Sequence, residues 1–121
     1  MDCGWLLDFD RRLRYCAMLD PMGRTVAGGM RSGIPSLEPE EEASKVDLHM
    51  AVIRGMTEAA RSYLGAMDYA VVHREKLMLV VIPVPEGNTV LVSAEPDFPL
   101  EKVEELLEAV KENLRRQIKG V

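Results

Sequence analysis

Residues 13–27 read LRYCAMLDPMGRTVA and have the pattern of a β-hairpin. Within 13–19, apolar side chains recur at every second position, and the intervening Cys16 and Met18 are also apolar, which predicts a strand covered on both faces. The turn is Asp20-Pro21-Met22-Gly23, because Asp suits its first position, Pro presets φ at the second and Gly suits the last. A return strand is predicted over 24–27, and Gly28-Gly29 either ends it or lets another backbone approach closely.

Outward from the hairpin, the chain alternates between helical and strand patterns. Residues 1–12 predict a short amphipathic helix. An acidic run at 40–42 marks the start of a middle helix that is predicted to reach Leu64 and end at Gly65, with Ser36 or Glu38 as its cap. Strands are predicted over 69–72, 77–84 and 89–94. A final helix begins near Pro99 and has one apolar stripe: Leu100, Val103, Leu106, Leu107, Val110, Leu114 and Ile118.

The order of these elements, (α)ββαβββα, predicts the fold class. Consecutive strands joined by tight turns favour an antiparallel sheet with helices packed on it, so we expect an α+β protein. With 121 residues, the chain is predicted to be a single domain, 1–121, that buries a core without disulfides or metals.

Composition and charge exclude several classes of protein. The net charge of −5 and the pI of about 5.1 argue against non-specific nucleic-acid binding. No apolar run of about eighteen residues is present, so no membrane-spanning segment is predicted. The first ten residues lack the basic region of a secretory signal, and Cys3 and Cys16 lack zinc-site spacing, so we expect a cytoplasmic protein with reduced thiols. Scarce Asn and Gln beside plentiful Glu, Lys and Arg are typical of a heat-adapted source.

No group of residues has the pattern of a catalytic, cofactor or metal site. His49 and His73 are isolated, whereas a metal site needs several converging ligands. Gly28-Gly29 followed by Arg31 has the composition of an anion cradle but lacks the spacing of a phosphate-binding loop. The serines lack a nucleophile-elbow motif, and Cys16 is predicted to be a small buried hydrophobic residue. We therefore predict a protein that is not an enzyme and holds no cofactor.

The middle helix is apolar over more of its surface than one sheet face needs. One stripe contains Val46, Met50, Ile53, Met56, Ala60 and Tyr63, and a second contains Leu48, Val52 and Ala59. Gly55 indicates either close helix approach or a tolerated surface glycine. We predict a homodimer built on this helix and the strand at 69–72, with contacts from Val46, Met50, Ile53, Met56, Ala60, Tyr69 and Val71. Arg31, in the long loop at 30–39, is the predicted partner-binding residue.

Two stretches of the chain resemble the roadblock/dynein-light-chain-like domains, relatives of the longin and profilin-like folds. LRYCAMLD at 13–20 followed by MGRTVA at 22–27 is similar to the opening hairpin of that family, and residues 76–94 are similar to its closing strands. The resemblance implies a five-stranded antiparallel sheet between helices. It also implies homo- or heterodimers through the middle helix and an edge strand, and non-catalytic work beside small GTPases or in scaffolds. The chain is also similar to small archaeal proteins, a likeness that brings no function with it.

Three functions stay open at this point. The leading one is a non-enzymatic dimeric adaptor or regulatory module that acts with a small GTPase or a scaffold complex. The alternative is a small-molecule-binding sensor domain of profilin-like fold, since a sheet with helices can enclose a ligand. The third is an enzyme that uses the His73 region. An apolar surface on the helix and the strand edge would favour the adaptor. A cavity on the sheet would favour the sensor, and converging carboxylates or a metal would favour the enzyme.

Overall fold

The structure, a computed structural model, describes residues 4–39 and 42–119. Glu40, Glu41, Cys3 and the side chain of Ile118, which entered the sequence predictions, lie outside the described residues. A 3₁₀ helix, Gly4–Phe9, opens the described chain. The elements that follow are β1 (Leu13–Leu19), β2 (Thr25–Met30), α1 (Ala43–Thr57), α2 (Arg61–Leu64), β3 (Ala70–His73), β4 (Met78–Pro83), β5 (Thr89–Ala94) and α3 (Glu101–Lys119).

All five strands form one antiparallel sheet in the order β2-β1-β5-β4-β3. β5 lies at its centre, where Val92 is opposite Cys16 of β1 on one side and Val80 of β4 on the other. The predicted α+β class and the five-stranded antiparallel sheet are confirmed. β2 and β3 are the two edge strands, each of which pairs with a single neighbour in the sheet.

One face of the sheet is covered by α3 and the N-terminal 3₁₀ helix. Leu106 and Val110 of α3 are fully buried there, which confirms that this helix packs on the sheet through its apolar stripe. Each such side chain contributes about 1.5–3 kcal/mol by leaving water. Leu100 was predicted to belong to the same stripe, but it precedes the first residue of α3 and is 65% exposed. That part of the prediction is wrong, and the buried stripe begins at Val103.

A buried carboxylate ties the start of β1 to α3. Asp10 accepts hydrogen bonds from Nε and Nη2 of Arg12 at 3.0 and 2.8 Å, and from Nζ of Lys102 at 3.2 Å. Its side chain is only 7% exposed. These hydrogen bonds, those of Arg12 above all, hold the pKa of Asp10 well below its ordinary value despite its burial. The carboxylate is therefore charged at neutral pH and links two distant parts of the chain.

The opposite face of the sheet is covered less completely, by α1. Met50 and Ala51 are the buried apolar residues in the described part of this helix, and they pack in one cluster with Ala17, Leu19, Leu79, Val81 and Leu91. Leu77 and Val72, nearer the β3 edge, are only partly buried in the same cluster. The uneven cover leaves a cavity on this face.

The middle helix differs from its prediction in continuity and in its cap. α1 ends at Thr57, whose hydroxyl donates to the Arg54 carbonyl at 2.7 Å, and the backbone tightens into a 3₁₀ turn over Glu58–Ala60 before α2. Gly65, with φ of 85°, ends the helical segment as predicted. The predicted cap is wrong. Ser36 Oγ instead accepts the Glu38 N–H at 3.1 Å in a local turn, and Glu42 occupies the N-cap position.

β2 runs three residues beyond its predicted end, so the interpretation of Gly28-Gly29 as a strand end is wrong. Gly28 pairs with Ala17 at a φ of +110°, and a Cβ added there would lie 2.0 Å from the carbonyl oxygen of Cys16. Glycine is needed because the two backbones approach closely, which was the other interpretation. Smaller differences are at β3 and β4, which begin one residue later than predicted.

Candidate functional site

Several exposed apolar side chains lie along α1. Leu48, Val52 and Met56 follow one another at four-residue spacing, and their side chains are 45%, 49% and 71% exposed. We call these three residues the α1 stripe. Tyr63 and Leu64 of α2 extend the apolar surface and are more than three-quarters exposed. Contiguous exposed apolar side chains of this kind mark interaction surfaces in monomeric domains.

The structure separates the residues of the predicted dimer interface into two groups. Met50 is 7% exposed in the core of its own chain, and Val46 and Ile53 are half-buried against the same sheet face. Met56 is exposed, and Ala60 is half-buried in the 3₁₀ turn that follows α1. Gly55 is exposed, and a Cβ added there would meet no other part of the chain within 4 Å, as expected for a tolerated surface glycine. Leu48 and Val52 of the second predicted stripe face outward, together with Met56 and Tyr63 of the first.

The edge strand β3 is the second element of the predicted interface. Val71, at its centre, is opposite Val80 of β4 and is half-buried, as is Tyr69 just before the strand. The outer side of β3 has no strand beside it within the described chain. Unpaired backbone donors and acceptors at such an edge can pair with another strand.

Arg31, the predicted partner-binding residue, directs its guanidinium into the chain. Nε donates to the Leu13 carbonyl at 2.8 Å. Nη2 donates to the carbonyl of Asp10 at 2.9 Å and to that of Leu7. These bonds join the end of β2 to the N-terminal 3₁₀ helix and to β1. The side chain therefore has a structural role, and its use in partner binding stays a prediction.

A cavity of about 540 Å³ lies between the sheet, the N-terminal half of α1 and the loop at 31–39. Leu77, Leu79 and Leu91 form its apolar floor, and Leu37 and Val46 line its walls. Ligand cavities of small-molecule-binding proteins have volumes of roughly 300–1,000 Å³.

The polar end of the cavity is built around Asp47 of α1. Asp47 is 9% exposed, and its Oδ2 accepts hydrogen bonds from the Tyr15 hydroxyl at 2.9 Å and the Thr25 hydroxyl at 3.1 Å. Burial raises the pKa of Asp47, while these two bonds act in the opposite direction. Burial raises the pKa of Tyr15, and the charge of Asp47 raises it further, so the phenol stays a donor.

A second carboxyl group lines the same cavity. Glu38 lines the cavity, and burial is the larger of two causes that raise its pKa. The charge of Asp47 is the second cause. The two acidic side chains therefore interact electrostatically inside a partly desolvated space. Sequence reasoning missed this arrangement, although a signal was present: Asp47 lies three residues before Met50, on the sheet-facing side of an amphipathic helix.

The residues weighed for chemistry do not assemble into a site. Both histidines are exposed, and His73 Nε2 lies 2.9 Å from the Pro96 carbonyl oxygen. Among residues 4–39 and 42–119, no three His, Cys, Asp or Glu side chains are grouped to hold a metal ion. Cys16 is 1% exposed and packs in the α3-side core, which confirms its prediction as a small buried residue.

Comparison with solved structures finds proteins of the same architecture. No family model and no curated protein matches the chain. A roadblock/LC7 domain from Streptomyces avermitilis superposes with a TM-score of 0.64 at 15% identity, over 95% of this chain and 99% of that one. The gliding protein MglB from Thermus thermophilus has a TM-score of 0.72 at 21% identity, over 97% and 85%. An MglB described with a tetrameric arrangement has a TM-score of 0.71 at 22% identity, over 93% and 81%.

The chain has the roadblock/LC7 fold. The resemblance seen in residues 13–27 and 76–94 is thus confirmed at the level of fold. Within the part of the chain that the structure describes, no helix is both long and apolar enough to cross a membrane. The archaeal, heat-adapted source and the cytoplasmic location stay predictions.

Proposed function

We propose that this protein is a non-enzymatic adaptor or regulatory module that works as a dimer. The observation that supports the proposal is the α1 stripe, an apolar helix surface that the chain's own sheet does not cover. The MglB described with a tetrameric arrangement has the same fold and self-associates, which supports self-association here.

The proposed dimer joins α1 and the β3 edge of two copies. Leu48 and Val52 join Met56 and Ala60 in the proposed contact, because the side chains of Leu48 and Val52 face outward. Tyr69 and Val71 position the β3 edge for pairing. The other residues predicted for the interface, Val46, Met50 and Ile53, support the helix from beneath.

The exposed apolar surface of the α1 stripe is large enough to contribute to reversible association. Complete burial of a Val, Leu or Met side chain contributes about 1.5–3 kcal/mol. Scaled by the exposed fractions of 45%, 49% and 71%, the α1 stripe contributes about 2–5 kcal/mol per protomer when covered. Association of two proteins costs roughly 4–15 kcal/mol of lost freedom. The stripes of two copies offset much of this cost, and backbone hydrogen bonds between two β3 edges add to the association.

The proposed partner is a small GTPase or a scaffold subunit, as the roadblock resemblance implies. Affinity capture from the native source tests it, with the tagged chain as bait and the lysate loaded with either GDP or a non-hydrolysable GTP analogue. We expect one stoichiometric GTPase or scaffold protein, identified by mass spectrometry and bound again when purified. Met56→Glu, which disrupts the dimer, should lose this partner, whereas Glu105→Lys on the exposed side of α3 should keep it. A bait that is recovered alone under both conditions would contradict the proposal.

A second candidate function, the small-molecule-binding sensor, is supported by one observation. The cavity beneath the N-terminal half of α1 has the volume of a ligand site and is lined by both apolar and polar side chains. A dimeric adaptor and a ligand sensor are compatible in one chain, since the cavity and the α1 stripe use different residues.

A further inference from the structure

The cavity beneath α1 has a chemical polarity that limits what can occupy it. Its floor of Leu77, Leu79 and Leu91 is apolar and belongs to β4, β5 and the residues before β4. The carboxyl groups of Glu38 and Asp47 line the same cavity, and the Tyr15 and Thr25 hydroxyls hold that of Asp47 in place. An occupant must therefore present an apolar body to the sheet and a polar group to the two acids.

Positive charges of the chain leave these two acids without full compensation. Arg14 also lines the cavity, but its Nη1 is paired with Glu95 at 2.7 Å and its Nη2 donates to the Pro35 carbonyl at 3.0 Å. Lys45, close by in sequence, pairs with Glu42 at 2.7 Å and is 61% exposed. The N-terminal end of α1 contributes only about half a positive charge. Within the described residues, neither Arg14 nor Lys45 therefore forms an ion pair with Glu38 or Asp47.

Hydrogen bonding inside the cavity leads to the same conclusion. Tyr15 and Thr25 both donate to Oδ2 of Asp47, and neither uses Oδ1. Burying carboxylates is costly unless donors or positive charges satisfy them. A ligand with N–H donors and a positive charge satisfies both acids at once, whereas an anion would add a third negative charge.

We propose that this cavity binds an amphipathic organic cation, an ammonium group on an apolar body. The ammonium donates to Glu38 and to Oδ1 of Asp47, and the apolar body packs on the leucine floor. This inference rests on the sensor candidate and is independent of the proposed dimer.

A matched pair of probes tests the charge requirement. Octylammonium chloride and sodium octanoate share an eight-carbon chain and differ in the sign of the head group. In ¹H–¹⁵N correlation spectra we expect octylammonium to shift amides of the cavity lining and to bind at least about tenfold more tightly than octanoate. Equal affinities, or shifts that spread over the surface without a cavity pattern, would overturn the proposal.

Two isosteric variants test whether the two acids recognise the ammonium group. Glu38→Gln and Asp47→Asn should each weaken octylammonium binding by about threefold to tenfold, because each removes one charge and keeps an acceptor. Glu42→Gln is the matched control, since this exposed carboxyl does not line the cavity, and it should bind as the unaltered chain does. An unchanged affinity in Glu38→Gln would contradict the proposal even if Asp47→Asn failed to fold. Translational diffusion measured on the same samples reports the oligomeric state, so loss of ligand binding and loss of the dimer are distinguishable.

Discussion

Replacement of Arg31 by methionine should destabilise the fold although the side chain lies in an irregular loop. Methionine keeps an apolar stem of similar length and removes the guanidinium that donates to the carbonyls of Leu13, Asp10 and Leu7. A hydrogen bond to a charged group contributes about 1.5–3 kcal/mol net when buried. Arg31 is half-buried, so water can replace part of what is lost, and we expect a loss of about 2–4 kcal/mol in the free energy of unfolding.

Urea unfolding followed by circular dichroism measures this loss. With an m value of about 2 kcal/mol/M, the midpoint should fall by about 1–2 M. Arg24→Met is the control, because that side chain is 78% exposed and pairs only with Asp20 at the surface, so its stability should change by less than about 0.5 kcal/mol. If Arg31→Met unfolds at the same urea concentration as the unaltered chain, the structural role of Arg31 is wrong. The predicted role in partner binding would then be its main one.

Three further tests concern the core, the hairpin and the N-terminal ion pairs. Leu106→Ala should cost about 2–5 kcal/mol in urea unfolding, whereas Leu100→Ala should cost under about half a kcal/mol, and equal losses would show that α3 is misplaced. Gly28→Ala should destabilise by more than about 1 kcal/mol because it combines positive φ with a backbone clash, while Gly29→Ala, with open space around it, should lose far less. Asp10→Asn should be less stable than the unaltered chain at neutral pH. Because the pKa of Asp10 is lowered in the folded state, its charge contributes to stability above the unfolded pKa of about 3.9, and this contribution is lost as the pH falls below that value. The difference in unfolding free energy between the two proteins should therefore narrow as the pH falls from about 4 to 2. A difference that stays constant would contradict the ion-pair assignment.

The strands were predictable because each carries its own signal. The β1–β2 hairpin has Asp20, Pro21 and Gly23 where the turn requires them, and the Asp20 carboxylate accepts the N–H groups of Met22 and Arg24 at 2.9 Å each. β5 coincides with its predicted range because a turn and a loop bound it closely. In these segments, local sequence and tertiary packing favour the same structure.

The middle helix was harder to predict because both of its apolar stripes have the same period. Periodicity places Met50 and Val52 on different sides but does not say which side meets the sheet. The structure places Met50 inward, and the hairpin turn packs closely on the helix, since a Cβ added at Gly23 would lie 3.0 Å from the Cα of Leu48. That contact joins residues distant in sequence, which local patterns do not contain.

The cavity was beyond sequence reasoning for a similar reason. Tyr15, Thr25 and Asp47 come from three different elements, and only the sheet register and the position of α1 bring them together. The long loop that carries Glu38 has no periodic signal at all. A single acidic residue on the buried side of a helix is the one local sign of such a polar cluster.

Association through α1 is the central claim, and sedimentation velocity over a concentration series tests it most directly. We expect the chain at tens of micromolar to sediment with twice its mass of 13.5 kDa. Val52→Glu with Met56→Glu should give the monomer mass with an unchanged circular dichroism spectrum, and Glu105→Lys should remain a dimer. A monomer of 13.5 kDa for the unaltered chain at these concentrations, or a dimer that survives the double substitution, would contradict the account.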